Sequence, residues 1–325
     1  MADRRHQFDL VFGLRNGSGD VAMKLLVTSV RNEAAWLVEW IAYHKAIGFD
    51  YFLIYTNDNT DRSAELFEKL SVLDYVEILD NPLTLGESPQ KKAFSRGMKR
   101  IGEIGPDWVA CLDPDEYLNL KEANSLQQLI DSLSSPDAIA INWRFFGSSG
   151  LLDKGNGFTT ERFLKCSESR FKWNRVFKTL FRYSNGIKGF GPHTQWFKKE
   201  LLPTVRFCFP DGHSVGEKYL VPRSPLQDPK AYVNFSQAQI NHYAIRSRAE
   251  YMAKQARGNG MVANDSDKVH FANQYFDVRD RNEIYDDSIL RFLTAHKREY
   301  VDLVLSLDLA GLIFEIERDF ARGVQ

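Results

Sequence analysis

The chain has no run of about 18 or more apolar residues, so its sequence offers no ordinary membrane-spanning helix. Only three cysteines occur in 325 residues, Cys111, Cys166 and Cys208. Their wide spacing excludes a C-x-x-C metal or redox motif and a disulfide framework, and it suits a reducing compartment. An excess of one charge is also missing. Lys and Arg number 42 against 43 Asp and Glu, a net charge of −1, which argues against a nucleic-acid partner. The polar start, Met1-Ala-Asp-Arg-Arg-His6, lacks the apolar centre of a signal peptide. A cytoplasmic location is therefore expected, and peripheral contact with the inner face of a membrane is compatible with it. There is no internal repeat and no low-complexity tract. The phosphate-loop, H-E-x-x-H and G-x-S-x-G motifs are absent. Gly258-Asn-Gly-Met-Val-Ala263 has the letters of a dinucleotide fingerprint, but in a polar, helical context that does not suit one.

What is present is a core-forming composition, 43% hydrophobic and 13% aromatic, with a regular alternation of elements. Strands are expected at Lys24–Val30, Tyr51–Tyr55, Tyr75–Leu79, Trp108–Leu112 and Ala138–Trp143. Helices are expected between them, at about 34–47, 63–70, 89–104 and from Ser125. This pattern predicts an α/β fold with a mostly parallel sheet flanked by helices. Phe145–Gly150 reads as a flexible loop, Phe177–Tyr183 as a further strand, and 186–191 as a glycine-rich turn leading to Pro192-His193. From about Arg246 the chain reads as helical. It ends in one amphipathic helix that places Val301, Leu305 and Leu309 together and covers the sheet domain. The expected divisions are an arm at 1–22, a catalytic unit at 23–245 and a helical region at 246–325. The catalytic unit splits into a donor half at 23–143 and an acceptor half at 144–245.

Polar groups collect at strand ends. Trp108–Leu112 runs out into Asp113-Pro-Asp115-Glu116, three acids in four residues. Their mutual repulsion is relieved by a cation, so the stretch reads as a Mg²⁺ or Mn²⁺ site for a diphosphate, or else as a polar strand exit. Strand one ends at Thr28-Ser-Val-Arg31-Asn32-Glu33, and strand two at Asn57-Asp58-Asn-Thr-Asp61. In a parallel sheet these tips share one edge and could line a pocket for a base and ribose. Each alone reads equally well as turn chemistry, with Asp61 a helix cap. Lys172, Arg175, Lys178 and Arg182 read as solvated charge, or as contacts to phosphate or an acidic acceptor.

Taken together, Thr28–Glu33, Trp40–Gly48, Asn57–Asp61 and Leu112–Tyr117 resemble glycosyltransferase family 2. The likeness is to the bacterial branch with an N-E-x-x-x-x-x-E-W-x-x-Y-H pattern, here Asn32 to His44. Trp143 with Phe146–Ser149, and His242–Ser247, extend it over about residues 24–260. The resemblance implies a GT-A nucleotide-diphospho-sugar fold and a divalent metal, Mn²⁺ or Mg²⁺. It implies sugar transfer from a nucleotide-sugar donor to a hydroxyl of a glycan or lipid-linked acceptor, with inversion, as in polysaccharide biosynthesis. Asn32, Glu33 and Asp58 would lie near base and ribose, with Thr28, Arg31, Asn57, Asp61 and Trp143 as further substrate contacts. Asp113 and Asp115 match the D-x-D element. Asp115 is the more direct ligand, and His242, ahead of His193, would complete the metal shell. Glu161 is the candidate base, with Glu116 as the alternative. Trp143, Trp173 and Trp196 could stack on sugars. A nucleotidyltransferase and a non-catalytic carbohydrate- or nucleotide-binding protein of the same fold remain the competing readings.

Overall fold

The computed structural model describes residues 22–184, 186–216, 219, 228, 230–256 and 273–323. All but the last residue of the expected arm, and the Gly258–Ala263 run, lie outside the described residues. Strands β1 (Lys24–Val30), β2 (Tyr51–Thr56) and β3 (Val76–Asp80) are parallel, and β4 (Trp108–Cys111) is parallel on the other side of β1. Helices α1 (Ala34–Ala46), α2 (Ser63–Leu70) and α3 (Pro89–Ile104) make the crossovers. β1 and β2 are buried almost throughout because helices cover both faces, which is why they read as near-continuous apolar runs. Alternation splits the core between the faces. Leu26 packs in one layer with Leu37, Trp40 and Ile41, while Leu25 and Val27 join Phe94 and Phe190 in the other.

Beyond β4 the strand order leaves the sequence order. β4 pairs antiparallel with β8 (Phe177–Arg182), and β8 antiparallel with β6 (Ala138–Phe145). β6 pairs parallel with β12 (Ala238–His242), and β12 antiparallel with β5 (Glu116–Leu120), which ends the row. The α4 helix (Leu126–Asp131) follows β5, and β11 (Phe207–Cys208) flanks β6. Two short pairs stand apart. β7 (Lys165–Cys166) pairs with β13 (Ile284–Tyr285), and β9 (Ile187–Phe190) with β10 (Gln195–Phe197), so the glycine-rich stretch is strand rather than turn. The fold is the expected mostly parallel sheet flanked by helices, with a helical C-terminal region: α6 (Arg248–Ala256), α7 (Asn273–Arg279), α8 (Leu293–Ser306) and α9 (Ala310–Ala321).

β5 is an edge strand, and its outward backbone groups need partners. Helix α1 supplies them with side chains. Trp40 Nε1 donates to the Glu116 carbonyl at 3.0 Å, and the Tyr43 hydroxyl to the Leu118 carbonyl at 2.9 Å. His44 Nδ1 lies 2.9 Å from the Trp40 carbonyl, and Leu118 N–H donates to His44 Nε2 at 3.4 Å. That pairing assigns the neutral Nδ1–H tautomer, and burial pushes the His44 pKa down to about 3. The W-x-x-Y-H part of the pattern therefore docks a helix onto the edge of β5.

Three further expectations change. The acidic strand stops at Cys111, and Glu116 opens β5 as a buried strand residue. The last helix is two, broken between Ser306 and Ala310. The break turns the buried face, so Leu303, Leu307, Leu309 and Ile316 point inward while Val301 and Leu305 are 49% and 73% exposed. The stretch after β6 is pinned. Phe146 N–H donates to the His242 carbonyl, Gly147 N–H to that of Lys165, Ser148 N–H to Asp280 and Ser149 N–H to Asn282.

A Cβ at Gly147 would fall 2.5 Å from the Arg281 carbonyl oxygen, whereas one at Gly311 meets nothing within 4 Å. Gly147→Ala should destabilise by about 1–3 kcal/mol through overpacking. Gly311→Ala should stabilise by about 0.5 kcal/mol through helix propensity. Thermal unfolding midpoints of the two variants check both signs.

Candidate active site

The acidic stretch is a tight turn between β4 and β5. Glu116 N–H donates to the Asp113 carbonyl at 2.9 Å, with Pro114 and Asp115 at the centre, the positions a type I turn favours for Pro and a small polar residue. The Glu116 carboxylate folds back to accept Asp113 N–H at 2.9 Å. Outside groups hold the turn from two further directions. The Arg246 guanidinium, stacked 4.4 Å over Trp36, donates to the Pro114 carbonyl at 3.0 Å, and Tyr243 N–H donates to the Asp115 carbonyl at 2.8 Å.

Two lysines balance the acids. Lys178, on β8 and buried, lies 3.1 Å from Asp113 and 2.9 Å from Glu116. Lys254, on α6, pairs with Asp115 and also donates to the Ala244 carbonyl at 2.9 Å. Burial works against the charge of Asp115, but Lys254 and then His242 and Arg246 outweigh it and hold this carboxyl well below the usual range. Glu116 is buried and shares Lys178 with Asp113, so burial wins and its carboxyl is pushed well above its usual value. Lys178 itself loses by burial and gains more from Asp113 and Glu116, which raises its pKa. His242 faces Glu116 across the β12–β5 register, with Nε2 3.7 Å from Asp115. Burial lowers its pKa against the pull of Asp115, favouring the neutral imidazole that binds metals.

Asp115, Glu116 and His242 each bring one ligand atom, all within 4.8 Å of one another. Among the described residues, Glu116 Oε1 and His242 Nδ1 are buried without a hydrogen-bond partner. Two carboxylates and an imidazole suit Mn²⁺ or Mg²⁺, so the residues fit a divalent cation. The sequence expectation placed Asp113 in this set. Here Asp113 accepts from Gln90 at 3.0 Å and pairs with Lys178, and Glu116 takes its place in the group.

The tips of β1 and β2 do meet, but chiefly to bind each other. The Asn32 side chain accepts Thr60 N–H at 2.7 Å and donates to the Thr60 hydroxyl at 2.8 Å, and Asn32 N–H donates to Asn59. Asp61 accepts Ala34 N–H and Ser63 N–H at 3.1 and 2.9 Å, capping α1 and α2. Arg31 donates to the Asp58 carbonyl, and Asn57 to the Asp58 carboxylate, which is exposed. Asn32 and Asp58 hold φ of +52° and +45°, which small polar residues tolerate. Thr28 is buried on β1, and Glu33 lies 4.0 Å from Arg246. The Trp143 ring lies 4.3 Å from that of His242, tilted, and meets the His193 ring edge-on at 5.1 Å, which sets it beside the acids. Glu161 does not join them. It accepts Phe158 N–H at the start of α5 (Thr159–Arg162) and pairs with Lys297 at 2.7 Å.

Of the basic run, Lys178 is buried while Lys172 and Arg182 are exposed. A lysine between Phe177 and Thr179 inside a buried strand is the signal that separates it. Lys254 and the roles of Arg246 and Gln90 carry no such local signal.

Residues 27–185 match the model of glycosyltransferase family 92. That segment runs from β1 through β8 and contains the acidic turn, Glu161 and Lys178; His242, Arg246 and Lys254 lie beyond it. The resemblance read from the sequence named family 2, so glycosyltransferase is the level at which the two agree. The chain is similar to family 92 proteins of Ricinus communis, 26% identical over 130 residues, and Oryza sativa subsp. japonica, 30% over 107. These alignments cover 39% and 33% of this chain but only 23% and 18% of the relatives, so the chain matches less than a quarter of their length. Crystal structures of S. aureus TarS 1-349 are similar at TM-scores of 0.31, in complex with UDP, and 0.33. They are 13% and 12% identical; the first covers 49% of this chain and 46% of TarS, the second 93% and 89%. Overlap this loose adds nothing on ligand or mechanism.

Next to this site, α1 carries a pH-sensitive group. Buried Glu39 accepts Thr159 N–H at 2.7 Å and the Thr159 hydroxyl at 3.2 Å. Burial, opposed by Arg162 and Arg246, raises its pKa from 4.5 to about 7. Between those values the folded state keeps a proton that the unfolded state releases, so stability falls as pH rises, by about 3 kcal/mol. Glu39→Gln should remove most of that loss, seen as a smaller difference between melting midpoints at pH 5 and pH 8. An unchanged difference would exclude Glu39 as its source.

Proposed function

We propose that the chain is a divalent-metal-dependent glycosyltransferase that moves a sugar from a nucleoside diphosphate to an acceptor hydroxyl. The observation that carries this reading is a buried Asp115–Glu116–His242 group, built on an acidic turn inside the segment that matches family 92. Mn²⁺ or Mg²⁺ held by that group would supply Lewis-acid neutralisation of the leaving diphosphate. The turn is fixed by Arg246, Tyr243 and Glu116, so the ligands need little reorganisation. Lys254 holds Asp115 in the absence of a cation and must yield the carboxylate to one. Asp113, tied to Gln90 and Lys178, borders the group, and the β1 and β2 tips offer exposed Asp58 to base and ribose, while the Thr28 hydroxyl behind them is buried. Trp143 gives the sugar an aromatic wall beside His242.

Inversion requires a carboxylate outside the metal group to take the acceptor proton. Glu161 is that proposal. It lies in the matched segment, and its side chain is 27% exposed. A glycan or lipid-linked saccharide as acceptor, and a cytoplasmic location with peripheral membrane contact, are proposals of the same kind. Among the described residues no helix is long and apolar enough to cross a membrane. The family match favours glycosyl over nucleotidyl transfer, and turnover separates an enzyme from a non-catalytic binder.

The test is release of nucleoside diphosphate from a panel of sugar nucleotides, with and without Mn²⁺. Metal-dependent release is expected, and Asp115→Asn should lower it by about 100-fold without changing the circular dichroism. Equal release by the variant, or no sugar nucleotide bound or consumed with Mn²⁺ present, overturns the reading. Glu161→Gln should lower kcat and spare donor affinity; an unchanged kcat removes Glu161 as base.

A further inference from the structure

Beside the acidic group lies a cluster of aromatic rings with a cation at its centre. The Arg279 guanidinium, on α7, sits 3.5 Å from the Tyr275 ring centroid, 4.4 Å from that of Trp173 and 5.9 Å from that of Phe145. Phe145 in turn packs 4.7 Å from His242 and 5.7 Å from Trp143. Lys172 adds a second cation over Trp173 at 5.7 Å. Three buried donors in this cluster, Arg279 Nε, Trp173 Nε1 and Trp143 Nε1, have no hydrogen-bond partner among the described residues. Among the described residues, no carboxylate pairs with Arg279. Burial lowers its pKa, and only Tyr275 and Tyr251 act against that. Asp115 and Asp113 do act on the Tyr275 phenol, after burial and Arg279, which places the cluster in electrostatic reach of the acids.

A half-buried guanidinium with no counter-ion among the described residues, beside a set of unmet N–H donors, is costly to keep. What satisfies both is an acceptor-only anion. We propose that Arg279, with Trp173 and Trp143, forms a subsite for a phosphate-class oxyanion next to the Asp115–Glu116–His242 group. The anion is either the diphosphate of the donor or an acidic group on the acceptor. The first source rests on the glycosyltransferase reading; the subsite itself does not.

The probe is inorganic pyrophosphate, titrated into the full chain by calorimetry and by tryptophan emission. Pyrophosphate should bind the wild type and bind Arg279→Gln about tenfold more weakly, with partial recovery in Arg279→Lys. Melting midpoints and Mn²⁺ affinity should hold in both variants. No binding to the wild type, or equal affinity in a folded Arg279→Gln or Arg279→Lys, overturns the proposal. Asp115→Asn should keep pyrophosphate binding while losing Mn²⁺, so a failed metal reading would leave this result standing. A parallel loss of nucleoside diphosphate affinity in Arg279→Gln assigns the anion to the donor. Unchanged nucleoside diphosphate affinity assigns it to the acceptor.

Discussion

Burying charge is the constraint on which this molecule is built. Asp113, Asp115 and Glu116 crowd one turn, and Lys178 and Lys254 come from distant parts of the chain to meet them. Withdrawing either partner from such a pair leaves an uncompensated buried charge, which costs more than the pair contributes. Lys178 can reach the turn only because β8 runs between β4 and β6, so the charge balance and the antiparallel join of the sheet depend on each other. Lys254 draws α6 over Asp115 in the same way. The arrangement is well suited to a cation-binding site, because a divalent ion can take over the role of a lysine.

The same region shows how an edge strand is made safe while carrying function. β5 begins with Glu116, and its outer backbone is closed by Trp40, Tyr43 and His44 of α1. Further along, Arg291 donates to the Leu120 carbonyl at 3.3 Å. Movement of α1 would therefore be felt at the Glu116 carbonyl. Of the pattern from Asn32 to His44, Trp40, Tyr43 and His44 hold the strand that follows the acidic turn, while Asn32 binds Thr60 and Glu39 binds Thr159.

Strands β1 to β4 and their helices were legible because burial on both faces leaves unbroken apolar runs between capping and turn residues. β5 was not, since Glu116-Tyr-Leu-Asn-Leu begins on the last of three acids and its polar residues are buried by pairing rather than by hydrophobicity. The last helix misled because Val301 and Leu305 keep helical spacing on the solvent side, and the buried leucines straddle a break. The acidic turn, Trp143 and His242, each singled out in the sequence, lie together in the fold. Asn32 and Asp61 lace and cap the two tips, which turn chemistry allows from the same letters. Lys254 pairs with Asp115 across more than a hundred residues, and no local pattern encodes such a contact.

Crystals grown with Mn²⁺ and a nucleoside diphosphate, with anomalous scattering measured at the manganese edge, address the central claim directly. The account predicts one anomalous peak within coordination distance of Asp115, Glu116 and His242, with the Lys254 ammonium withdrawn from Asp115. Nucleotide bound at the strand tips while Lys254 keeps its pair and manganese sits elsewhere, or nowhere, would contradict it.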